Sequence, residues 1–227
     1  MKKNILVLWD IDGTLMHCGA DGTTALNMTF KQLYGEENAF SKIKVGSTMD
    51  AIILDKIMEE LGYNKGDLEQ IKKTYIKNLK NVLSKNKQIK VLPGIWEILD
   101  YIDESDYCYN ALLTSNLRIG AETKLESVGL NKYFKVGGFG DEYGEKWDAA
   151  KKAVKEAEKY FGVEFENKNI YLIGDGVYDI ETSKRNNIKS IGVATGWMDY
   201  DILKSHEPDY LFKDLSDYNK IIDIFKI

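Results

Sequence analysis

Short apolar runs rich in β-branched residues recur along the chain, at 5–9, 111–114, 136–139, 170–173, 191–194 and 210–212. Turn or charged residues bound each run, and helical patterns lie between several of them. Ala150, Val154, Ala157 and Phe161, for example, follow steps of four, three and four along one helix face. Strands that alternate with helices need crossover connections, which pair the strands in parallel and in a right-handed sense. The predicted fold is therefore α/β, a doubly wound parallel sheet.

Residues 16–90 interrupt that alternation. Helices are predicted near 23–34, 48–61 and 67–84, with no strand among them. Leu68, Ile71, Tyr75, Leu79 and Val82 share one face of the last of these helices. Pro93-Gly94 then marks the return to the α/β pattern. A helical block of about 75 residues is thus expected to stand inserted after the first strand, inside an α/β core made of 1–15 and 91–227.

Composition removes several function classes. Apolar residues make up 44% of the chain, enough to supply a core. The net charge is −5, and Arg118 and Arg185 are the only arginines, so no basic track for nucleic acid is present. The opening run is five residues long, too short for a membrane span or a secretory apolar region. Cys18 and Cys108 have no C-x-x-C spacing and fit a reducing cytoplasm. A soluble cytoplasmic protein with no membrane partner is expected; nothing in the sequence defines an oligomeric state.

In an open parallel sheet, ligands bind beyond the carboxyl ends of the strands. The polar residues that follow the apolar runs are therefore the informative ones. Asp10, Asp12 and Thr14 follow the first run; Thr114, Ser115 and Asn116 close the second; Gly174, Asp175 and then Asp179 follow the fourth. A single acid in such a place is commonly a loop residue or a helix cap. Three strand ends carrying acid, hydroxyl and acid groups are much harder to reach by chance. Four acids at one edge repel unless a cation joins them, and oxygen donors without a His or Cys cluster favour Mg²⁺. The only histidines, His17 and His206, lie outside these positions, which argues against zinc.

These residues resemble the motifs of the haloacid dehalogenase (HAD) superfamily, specifically its phosphatases. Asp10-Ile11-Asp12-Gly13-Thr14 is similar to the D-x-D-G-T first motif, "LLTSN" with Thr114 to the second, and "IGDGVYD" with Asp175 and Asp179 to the fourth. "VATGW" and "PDYLFKDLSD" also resemble phosphoglycolate-phosphatase-like members. The resemblance implies a Rossmann-like core with 16–90 as a helical cap. It further implies that Asp10 is the nucleophile forming an aspartyl-phosphate and Asp12 the general acid and base. Mg²⁺ would be held by Asp10, the Asp12 main chain and Asp175, with Asp179 in support. Thr114 and the amides around Ser115 and Asn116 would bind phosphoryl oxygens. The family's third motif is a basic residue, for which Lys146, Lys151 and Lys152 are candidates. Lys146 fits best because it opens the helix that follows a Gly-rich strand exit.

The family's dehalogenases and phosphonate-cleaving members generally lack an acid where Asp12 stands, so the resemblance implies phosphate-ester chemistry. Gly46, Ser47 and Thr48 are candidates for a cap loop that reaches the substrate, or equally for a capped helix start. Related proteins often carry an Arg where Ser47 stands, so phosphoglycolate is not directly indicated. The leading expectation is a Mg²⁺-dependent phosphomonoesterase acting on a small phosphorylated metabolite. A sugar-phosphate mutase on the same scaffold, or a non-catalytic phosphate-binding module, is the alternative.

Overall fold

The computed structural model describes residues 3–44, 48–63, 68–141 and 144–226. Six strands form one wholly parallel sheet: β1 (Ile5–Trp9), β4 (Cys108–Leu113), β5 (Gly137–Gly138), β6 (Ile170–Gly174), β7 (Lys189–Val193) and β8 (Tyr210–Phe212). Their spatial order is β5-β4-β1-β6-β7-β8. The chain leaves β1 toward β4 and β5 on one side, then returns to β6 on the other. The order thus reverses around β1, and the crevice beyond its carboxyl end is where such a sheet binds ligands.

Strand β1 is buried on both faces, as a central parallel strand must be. Ile5, Val7 and Trp9 join a core with α4 (Ile95–Asp103), α5 (Arg118–Ser127) and α9 (Tyr218–Phe225), through Ile95, Leu125 and Phe225. Leu6 and Leu8 point the other way, onto Ala149, Ala150 and Ala153 of α6 (Lys146–Phe161). This period of two, with helices on both faces, makes the sheet doubly wound. Val154 and Phe161, predicted on the buried face of α6, are partly buried against the second core.

Strand β4 starts three residues earlier than the apolar pattern indicated. Asn110 breaks that pattern, yet it is buried and pairs in register with Val7. Its Oδ1 accepts the indole N–H of Trp9 at 2.9 Å. A buried indole needs an acceptor, and the polar residue in β4 supplies it.

Between β1 and β4 stand α1 (Asp21–Tyr34), α2 (Asp50–Leu61) and α3 (Leu68–Lys85). Ile71, Tyr75 and Leu79 of α3 are buried, as predicted for its inner face. The expectation of no strand in residues 16–90 needs correction. Met16–His17 (β2) pairs antiparallel with Lys90–Val91 (β3), tying the entry of the helical segment to its exit. Strands of two residues are too short to show a period in sequence. Among the described residues, no helix is long and apolar enough to cross a membrane.

Candidate active site

Just past Trp9 the chain turns tightly: the N–H groups of Thr14, Leu15 and Met16 all donate to the Ile11 carbonyl. The turn leaves Asp10 and Asp12 on either side of buried Ile11, each facing its own lysine. Gly13 has a φ of +83° in this turn, a conformation in which a side chain would be strained.

Asp10 is 8% exposed. Its Oδ1 lies 2.9 Å from Nζ of Lys146, itself 3% exposed at the start of α6. The same ammonium sits 2.7 Å from Asp179 Oδ1. Asp179 lies in the first turn of α7 (Val177–Asn186), and its Oδ2 accepts the Gly176 N–H at 3.1 Å. Asp175 follows β6, with Thr14 Oγ1 3.4 Å from its Oδ1. The backbone of two loops cradles this carboxylate. A Cβ at Gly196 would stand 1.5 Å from Asp175 Oδ2, and one at Gly13 2.5 Å from it. Only glycine lets both loops approach so closely.

Carboxylate oxygens of Asp10, Asp175 and Asp179 lie within 4.8 Å of one another. Burial pushes the Asp10 carboxyl up to about 6, with Lys146 opposing and Asp179 adding to the rise. Burial, then Asp10 and Asp179, push Asp175 up to about 8. Burial would lower the Lys146 ammonium, but Asp10 and Asp179 raise it above the usual lysine range. One ammonium thus faces three carboxylates, and the surplus negative charge fits a cation. The donors are all oxygen, the chemistry a hard divalent ion such as Mg²⁺ prefers.

Asp12 is engaged differently. Its Oδ2 accepts from Nζ of Lys124 at 2.6 Å and from Asn116 Nδ2 at 2.8 Å, and its Oδ1 faces the Cys18 thiol at 3.1 Å. Burial favours the neutral acid, but the Lys124 ammonium and these hydrogen bonds outweigh it and hold Asp12 below the ordinary carboxylate range. Asn116 is the hub of this group. Its Nδ2 also donates to Thr114 Oγ1 at 2.8 Å, and its Oδ1 accepts from Lys124 at 2.7 Å. Thr114 is fully buried at the end of β4.

The structure therefore gathers Asp10, Lys146, Asp175 and Asp179 on one side of the turn, and Asp12, Asn116 and Thr114 on the other. Ser115 is half-buried, lines a cavity beside Asp12, and its carbonyl accepts the Asp50 N–H at 2.9 Å. Lys151 and Lys152 are exposed, and Lys151 pairs with Asp148 instead. Gly46 and Ser47 lie outside the described residues. Thr48 is half-buried just ahead of α2, while Met49 packs into the second core and Asp50 reaches the loop after β4. Asp50 Oδ2 accepts the Leu117 N–H at 3.0 Å.

Sequence reasoning missed Lys124 and Asp50. Lys124 did leave a signal. It falls on the stripe Gly120, Ala121, Lys124, Leu125, the buried face of α5, and a lysine on an apolar stripe needs a buried partner.

A family model of haloacid dehalogenase-like hydrolases matches residues 7–193. A phosphoglycolate phosphatase of Aquifex aeolicus is 29% identical over 224 residues, 96% of each chain. The pyrophosphatase PpaX of Oceanobacillus iheyensis is 23% identical over 218 residues, 95% of each. Among solved structures, a hydrolase from Pseudomonas syringae superposes with a TM-score of 0.69 at 19% identity, covering 97% of this chain and 98% of that one.

Proposed function

Because the chain belongs to the haloacid dehalogenase-like hydrolase family, we propose that it is a Mg²⁺-dependent phosphatase of small phosphomonoesters that works through an aspartyl-phosphate on Asp10. The observation that carries this reading is the convergence of Asp10, its ammonium Lys146 and two more carboxylates at the switch point of the sheet.

In the first step an Asp10 carboxylate oxygen bonds to phosphorus while the bond to the substrate's ester oxygen breaks. Asp12 delivers a proton to that leaving oxygen. In the second step Asp12 takes a proton from water, which attacks phosphorus and frees Asp10 and inorganic phosphate. Lys146 neutralises charge on Asp10 and on the transferring group, and Thr114 with the Ser115–Asn116 backbone orients it. Mg²⁺, held by Asp10, the Asp12 carbonyl and Asp175 with Asp179 in support, would neutralise phosphoryl charge. Asp12 stands here in its base form, the form the second step uses. Substrate binding has to loosen the Lys124 contact before Asp12 can carry a proton. Residues 16–90 act in this reading as a cap over the site, and the buried thiols of Cys18 and Cys108, which form no disulfide, suit a reducing cytoplasm.

Phosphate release from a panel of phosphate esters, with Mg²⁺ or with EDTA, tests the proposal for wild type and Asp10→Asn. Turnover should need Mg²⁺ and fall by roughly 10³-fold or more in the variant. A wild type that releases phosphate from no ester overturns the reading.

A further inference from the structure

Asp12 borders two cavities. The smaller, of about 250 Å³, lies on the side of the helical segment and has room for a compact group. The larger, of about 670 Å³, lies beside the turn at Asp12 and Gly13. That is room for roughly twenty waters at ~30 Å³ each, a size that suits a small organic molecule. The inference drawn from it rests on the phosphatase reading above.

Two features of the larger cavity's wall point to a ligand. The first is Trp197, which is 91% exposed, although so large an aromatic side chain usually buries most of its surface. The loop that carries it is nonetheless fixed to the site. Thr195 Oγ1 donates to the Gly13 carbonyl at 2.5 Å, and the Gly196 backbone packs on Asp175. An indole is thereby held beside the catalytic turn with its ring in solvent.

The second feature is charge. Lys87 and Lys90 line the same cavity, and among the described residues neither makes an ion pair. Asn86 fixes the segment that leads to them, donating to the Cys18 carbonyl at 3.3 Å and to Asp21 Oδ2 at 2.8 Å. Lys90 stands opposite His17 in the β2–β3 pair, so two basic side chains leave that ribbon on one face. Asp12 is the only carboxylate in the wall among the described residues. Two ammonium groups against one acid make the cavity net positive, whether or not Asp12 carries a proton. Lys124 does not line it, so its contact with Asp12 does not enter this balance.

We propose that the larger cavity takes the substrate's leaving group, and that this group carries a flat aromatic ring stacked on Trp197 and a second anionic group met by Lys87 and Lys90. A nucleotide with a phosphate besides the one removed has this chemistry.

Three substrates that share one scissile bond, the 5′-phosphate ester of ribose, test this: ribose 5-phosphate, adenosine 5′-phosphate and adenosine 3′,5′-bisphosphate. The last is followed by the adenosine 3′-phosphate formed, and p-nitrophenyl phosphate serves as a general substrate. In wild type kcat/KM should rise about tenfold with the base and about fivefold again with the 3′-phosphate. Trp197→Ala should remove the first rise, and Lys87→Gln combined with Lys90→Gln the second. All three side chains are exposed, and each ratio is taken within one protein preparation, so partial misfolding cancels. Absence of either rise in wild type, or a rise unchanged in its own variant, overturns the inference and leaves the phosphatase reading intact. So does hydrolysis of p-nitrophenyl phosphate with none of the three ribose esters. No release from any of the four overturns the phosphatase reading, and this inference with it.

Discussion

Strand β1 ends on two aspartates, and each meets a buried lysine, but the two pairs are built differently. Lys146 is shared between Asp10 and Asp179, with Asp175 close by. Lys124 forms its ion pair with Asp12, and Asn116 and the Cys18 thiol add hydrogen bonds. The first group is buried and carries surplus negative charge; burial first, then the neighbouring carboxylates, push its acids up to about 6 at Asp10 and about 8 at Asp175. The second is balanced, and Asp12 is held low. One half of the site thus suits a cation, and in the other protein donors meet the acid. Two positions apart in sequence, the same residue type is tuned in opposite directions by what the neighbouring helices bring to it.

Replacing Lys146 should have the largest effect. Lys146→Met leaves three clustered carboxylates with no ammonium, and breaking a buried pair costs about 3–5 kcal/mol. In metal-free protein that loss should appear in full on thermal or urea denaturation. Saturating Mg²⁺ should recover part of it, because an ion bound only by the folded state stabilises that state. An equal loss with and without Mg²⁺ would mean that the three carboxylates do not hold the ion.

Lys124→Met should cost less, about 1–2 kcal/mol, because the Asp12 side chain is 41% exposed and keeps Asn116 and Cys18. Mg²⁺ should not recover this loss, while kcat should drop by roughly tenfold or more as Asp12 loses its orientation. A Mg²⁺-sensitive loss at Lys124 would erase the distinction between the pairs.

A pH series sharpens the comparison without mutation. Asp10 and Asp175 bind protons more tightly folded than unfolded, where both titrate near about 4. Between about pH 4 and 8 the folded metal-free protein therefore holds more protons. The stability these two groups contribute should be fully present below about 4 and decline as pH rises through about 6 and about 8. Asp12 has the opposite sign, contributing stability above the unfolded value and losing it as pH falls below. Saturating Mg²⁺ should flatten the upper decline, since the ion replaces the protons. A metal-free melting temperature that rises from pH 5 to 8 would contradict the charge surplus.

Much of this was legible in the sequence where a residue's place depends on the strand it follows. Asp10, Thr114 and Asp175 each close an apolar run, and a parallel sheet sends all such ends to one edge. Lys146 could be singled out because it opens a helix just after a Gly-rich exit. Lys124 could not be reached in that way, since it lies mid-helix and its partner Asp12 is 112 residues away. Asn110 shows the same limit within a strand: its acceptor role for Trp9 depends on the β1–β4 register, which apolar periodicity alone does not give.

The smallest predicted effect decides whether burial or mere proximity in sequence makes a lysine matter here. Lys151 lies on α6 five residues after Lys146, in the same lysine-rich stretch, but its side chain is 62% exposed and pairs with Asp148 at 3.3 Å. An exposed i,i+3 pair of that kind contributes little, because water and salt screen it. Lys151→Ala should stay within about 0.5 kcal/mol of wild type in stability, and phosphate release should remain within about twofold. Alanine has the higher helix propensity, so the shift should lean toward a slight gain in stability. A large fall in turnover on Lys151→Ala would transfer the charge-neutralising task away from Lys146. The distance of 2.9 Å between Lys146 Nζ and Asp10 would then reflect packing rather than chemistry.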